Sequence, residues 1–102
     1  MESEKYEMVY KIDKSQIYLR LLGENFFQKN KNLGNFIFRN KKCFLLEKID
    51  VKYLVEFEFF KIGLIFENKI YDKSQMFKDC ESLIKFSEYI KEIKFIIQIQ
   101  LV

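Results

Sequence analysis

Four stretches of this chain place apolar residues at every second position. They are Tyr6, Met8, Tyr10 and Ile12; Ile17, Leu19 and Leu21; Val55, Phe57 and Phe59; and Ile93, Phe95, Ile97, Ile99 and Leu101. A period of two puts side chains on one side of an extended strand, so these runs commit much of the chain to sheet. The polar residues 13–16 separate the first two runs and predict an antiparallel hairpin of residues 6–12 with residues 17–22. Phe36, Ile37 and Phe38 are joined by Arg39, Asn40, Lys41 and Lys42 to Cys43, Phe44, Leu45 and Leu46, which predicts a second hairpin. Asn40 tolerates the positive φ that such a turn needs. Residues 54–60 read as a strand, and residues 62–66 as another, interrupted at Gly63. The last run, residues 93–101, alternates most cleanly, and its other side is half polar. It is expected inside the sheet or paired with another chain, because a flat apolar edge is a template for association.

Helical signals are shorter. Gly23 closes the second run, and residues 24–31 predict a short helix with Phe26, Phe27 and Asn30 at helical spacing and Gly34 as terminator. Residues 47–53 suit one helical turn. Asp72 is an N-cap candidate with Gln75 three positions on, after which Met76, Phe77 and Cys80 offer an apolar stripe. Ser87 is a candidate cap for a last helix through Lys91. The fold class expected is therefore α+β: a small mixed or antiparallel sheet with short helices, leading into a single strand–helix turn. The organisation expected is a disordered terminus at residues 1–5, a sheet-rich part at 6–70, and a final unit at 71–102 packed with it as one domain. A chain of 102 residues fits one domain and can bury a core without staples.

The stretch Ser74, Gln75, Met76, Phe77, Lys78, Asp79, Cys80, Glu81, Ser82, Leu83, Ile84, Lys85, Phe86 resembles the repeat unit of BspA-type leucine-rich repeat proteins. In that family a Met-Phe pair, a Cys three residues after the Phe and a Ser-Leu pair recur. Residues 17–47 are similar to a segment that precedes such repeats in protist proteins: an apolar strand, Gly23-Glu24-Asn25-Phe26, a turn rich in Asn and Lys at residues 29–32, and a two-strand unit at residues 36–46. The chain departs from the family in carrying one repeat where the family carries many. The resemblance implies a noncatalytic module for protein interaction or structure, with Met76, Phe77, Cys80, Ser82 and Leu83 as the structural motif and Leu83 with Lys85, or Ile84 with Phe86, on one strand face. A lone solenoid repeat cannot bury its apolar side, so it needs neighbouring strands or further repeats.

Composition removes most chemistry. With no His, Ser-His-Asp triads, Cys-His dyads and His-ligated metals are excluded. Gly23, Gly34 and Gly63 are too far apart to cradle a phosphate. Asp72, Asp79 and Glu81 do not have calcium-loop spacing and read as a solvated face. Glu56 and Glu58 are a conceivable carboxylate pair, but an outward polar strand face explains them better. No catalytic residue, cofactor or metal is expected, and an enzyme built on carboxylates and lysines is the remotest reading. Cys43 and Cys80 read as buried free thiols in preference to a disulfide or a reactive thiol.

Partners follow from charge. Lysines and glutamates are interleaved to a net +3, and twelve of the residues are Phe. The abundance of Lys, Ile, Phe, Asn and Tyr fits an AT-rich genome, that of a protist or of an AT-rich bacterium. Lys29 with Lys31, and Arg39 with Lys41 and Lys42, are the nearest to a basic patch, and Phe36 and Phe38 beside Arg39 the nearest to a base-stacking platform. The alternative reading is therefore a small nucleic-acid-binding domain, but solvated turns and core aromatics are preferred. A protein partner or self-association is expected. No leader with an apolar run and no stretch of about 18 apolar residues is visible, so no membrane span is expected and the cytoplasm is the default location.

Overall fold

Three eight-residue strands lie side by side in the middle of the molecule. The computed structural model describes residues 3–68, 72–90 and 93–98. In chain order these hold β1 (Glu4–Lys11), β2 (Tyr18–Arg20), α1 (Glu24–Asn30), β3 (Gly34–Phe38), β4 (Lys41–Phe44), β5 (Lys48–Asp50), a 3-10 turn (Val51–Leu54), β6 (Phe59–Phe66), β7 (Leu83–Ile90) and β8 (Ile93–Gln98). One six-stranded sheet has the order β4-β3-β6-β1-β7-β8, and every neighbouring pair is antiparallel. β2 and β5 form a separate two-stranded ribbon.

Registers and burial give the sheet two unlike sides. Tyr6, Met8 and Tyr10 of β1, Phe60, Ile62, Leu64 and Phe66 of β6, and Phe36 of β3 are buried on one side. Phe26 from α1, Leu19, Leu21 and Leu22 around β2, Val51 and Leu54 of the 3-10 turn, and Met76 and Cys80 complete a single core with them. Burial of that apolar surface is the main term holding the layers together. Tyr10 is fully buried and its hydroxyl donates to the Leu21 carbonyl at 2.6 Å, tying the ribbon segment to the central strand. The other side of the sheet has no layer over it among the described residues.

The α+β expectation is corrected: α1 is the one α-helix among the described residues, and antiparallel sheet dominates. The strand–helix turn at 72–82 is a chain of tight turns. Met76 N–H donates to the Lys73 carbonyl, Lys78 to Gln75 and Cys80 to Phe77, all three-residue closures. Gln75 and Asp79 have positive φ, which a right-handed helix cannot contain. The Asp72 side chain accepts from the backbone N–H and hydroxyl of Ser74, so its capping capacity is used in a local turn.

Other expectations are also redrawn. Residues 6–12 and 17–22 do not pair, because β1 is flanked by the long strands β6 and β7 while β2 finds β5. Residues 54–60 are not a strand. Asp50 caps the 3-10 turn by accepting from Lys52 N–H, the chain reverses with Phe57 N–H on the Leu54 carbonyl, and β6 begins only at Phe59. Gly63 does not interrupt β6, since it sits on the uncovered side opposite Glu7 and Ile37, where the core needs no side chain. Ser87 starts no helix; it is buried within β7 opposite Glu7. Glu4 and Lys5 belong to β1, not to a frayed end. The 36–46 hairpin forms as β3–β4 with Arg39 and Asn40 both at positive φ, a two-residue turn whose twist suits adjoining strands.

Candidate interaction surfaces

The motif residues at 76–83 face inward. Met76, Cys80 and Leu83 are buried, Phe77 is half-buried with its ring edge-on to Phe86, and Ser82 is half-buried. Gly23 N–H donates to the Met76 carbonyl, and a Cβ on Gly23 would overlap the Gln75 carbonyl oxygen, so glycine is required for this close approach. Lys73 reaches Glu4 at 3.3 Å and Glu88 at 4.0 Å, strapping the same segment to β1 and β7. These residues hold the fold and offer no contact surface.

The cysteines differ. Cys80 is buried, and desolvation pushes its thiol up to about 12, so it stays protonated and inert. Cys43 corrects the expectation of two buried thiols: it is exposed on β4. No disulfide links them.

The aromatic platform suggested by Phe36 and Phe38 is not on the surface. Phe36 is buried, and Phe38 packs against Phe57 and Phe60 with ring centroids 6.3 and 5.4 Å apart. Arg39 lies over the Phe38 and Phe57 rings and faces Glu56 at 3.8 Å. Lys29 faces Asp72 at 3.7 Å and Lys31 approaches Gln28, so neither basic turn forms a patch. Glu56 and Glu58 lie on the rim of an open groove of about 830 Å³ at the end of the sheet, with Lys11, Phe57, Glu81 and Ile84. Both carboxylates are solvated.

Two exposed features were not singled out from the sequence. The first is β4, an outer strand whose four side chains are all exposed, Phe44 to 86%. The register makes Phe38 and Lys41 the pair closing the turn, so Lys42 turns its backbone N–H and carbonyl away from β3. The second is the uncovered side of the sheet. It carries Lys5, Glu7, Val9 and Lys11 of β1, Phe59, Lys61, Gly63 and Ile65 of β6, Ile37 of β3, Lys42 and Phe44 of β4, and Lys85 and Ser87 of β7. Only a known register reveals that grouping, because its members are scattered from residue 5 to residue 87. At the opposite edge, β8 pairs with β7 and includes Ile93, Phe95 and Ile97; Ile99 and Leu101 lie outside the described residues, as does Lys91.

This geometry defines a small antiparallel-sheet protein with one covered and one open side. No protein-family model matches the chain, and no curated protein and no solved structure matches it either. Among the described residues no helix is long and apolar enough to cross a membrane, and no cluster of ligating side chains could hold a metal.

Proposed function

We propose that this protein is a noncatalytic interaction module that accepts an extended segment of a partner protein as an added strand on β4. One observation carries the reading: an outer strand with a free backbone edge and four exposed side chains, ending in a nearly fully exposed Phe. Strand addition draws affinity from main-chain hydrogen bonds and selectivity from alternate side chains, and β4 offers both. Lys41 and Lys42 disfavour pairing of β4 with a second copy of itself, which leaves the edge to a different chain. An interaction role is also what the resemblance of residues 17–86 to BspA-type leucine-rich repeat proteins implies.

Selection of binders from a displayed library of random peptides tests this. The selected sequences should alternate with a period of two and should lose binding to a Lys42→Pro protein. That substitution removes an outward N–H and keeps the β3–β4 ladder. Peptides that bind the Lys42→Pro protein as well as the native one, or a library that yields no binder, would refute the reading.

A further inference from the structure

We propose that the uncovered side of the six-stranded sheet docks a helix from another protein, one with an apolar stripe flanked by acidic residues. This rests on the interaction-module reading and adds a second surface with its own ligand chemistry.

Charge is the first argument. The open side carries Lys5, Lys11, Lys42, Lys61 and Lys85 against Glu7, with Glu67 just past the end of β6. Among residues whose side chains are described, five lysines thus face two glutamates on this side. Lys61 faces Glu7 at 3.4 Å and Lys42 faces Glu67 at 3.1 Å. Lys5, Lys11 and Lys85 form no ion pair with a described residue. These three ammonium groups lack a counter-charge that an acidic partner would bring.

Relief and polarity are the second argument. Val9 sits between Lys61 and Lys85 across the sheet, and Ile37 lies two strands from β1, beyond Gly63. Both are half-buried, and Phe59 and Phe44 extend the apolar surface to opposite corners. Gly63 lies between Glu7 and Ile37 in one row and adds no side chain there, which lowers the surface where a helix backbone can approach. A sheet with one bare side is completed by a layer of helix, and six strands at about 4.8 Å spacing match roughly sixteen helical residues at 1.5 Å each. A second copy would present the same lysines and be repelled. Nucleic acid fits less well, since aliphatic side chains hold the middle and the exposed phenylalanines stand too far apart to stack successive bases.

The test uses the whole chain and four probes: a synthetic 18-residue helix with a leucine stripe between glutamates, the same peptide with lysines for glutamates, a scrambled acidic peptide without the stripe, and a twelve-residue oligothymidylate. Binding is measured by titration at low and high salt and mapped by amide chemical shifts. The acidic amphipathic peptide should bind about tenfold or more tighter than the other three, more weakly at high salt, with shifts on β1, β6 and β7. A Lys11→Glu/Lys85→Glu protein with an unchanged spectrum should lose about tenfold in affinity. Equal binding of the lysine or scrambled peptide, tighter binding of the oligonucleotide, no binding of the acidic helix, or shifts confined to β4 would each overturn the proposal. If library selection still yields peptides seated on β4, only this inference falls; if it yields none, the module reading falls with it.

Discussion

Single residues show one short sequence building the same turn in two places. The tetrapeptide Asp-Lys-Ser-Gln occurs at residues 13–16 and 72–75, and both copies build the same local turn. Asp13 accepts from Ser15 N–H and hydroxyl at 2.9 and 2.6 Å, and Asp72 does so from Ser74 at the same distances. Those donors hold both carboxyls below their usual value, the Ser hydroxyl being the largest cause. A depressed folded pKa means that the contribution is present above the unfolded value and lost as pH falls through the folded one. Acid titration followed by carboxyl NMR should therefore show Asp13 and Asp72 protonating at a lower pH than a free aspartate; ordinary titration of both would contradict the turns. Tyr10 runs the other way, because burial raises its phenol well above 10.0. Its contribution is intact below the unfolded value and shrinks as pH climbs past it, so alkaline unfolding should begin near pH 10. Tyr10→Phe should cost about 1–2 kcal/mol in chemical denaturation by orphaning the Leu21 carbonyl, and should soften that alkaline dependence. Thiol labelling should modify one cysteine, Cys43, in the native protein and reach Cys80 only on unfolding.

At the level of elements, the segment 72–82 and the start of α1 stand or fall together. Gly23→Ala should destabilise by about 2–4 kcal/mol, since the added methyl must displace backbone and not a pliable side chain. A melting temperature unchanged by this substitution would show that the turns do not pack there. In the β3–β4 hairpin, Asn40→Gly should stabilise by about 0.5 kcal/mol, because glycine holds positive φ without strain. Arg39 keeps its positive φ in return for packing over Phe38 and Phe57. The hairpin and α1 were legible because their signals are local: apolar runs around a turn, and Phe26 and Asn30 at helical spacing. Residues 54–60 misled because Val55, Phe57 and Phe59 alternate by accident of a turn, while the buried positions are Leu54 and Phe60. The partners of β1 were illegible in principle, since alternation states that a run is a strand and never which strand lies beside it.

The molecule as a whole is knitted through β1, which pairs with β6 on one side and β7 on the other. The division into a sheet part and a following unit is therefore not a division of stability. A fragment of residues 1–71 should lack a cooperative thermal transition, because β1 loses one neighbour and the core loses Met76, Cys80 and Leu83. A fragment that melts cooperatively with retained near-ultraviolet circular dichroism would show otherwise. The open basic side is not legible in the sequence at this scale, because its lysines are interleaved with glutamates of which only Glu7 and Glu67 share that side among the described residues.

The central position of β1 also governs how the chain meets the cell. β1 is translated early, yet its two neighbours begin only at Phe59 and Leu83. At roughly 5–20 residues per second, the emerging strand spends seconds with both edges bare. Its bare faces then differ: one shows Tyr6, Met8 and Tyr10, the other Lys5 and Lys11. Lys5 and Lys11, which mark the open side of the finished sheet, are charges of the kind that disfavour annealing of nascent copies through a strand that has no mate yet.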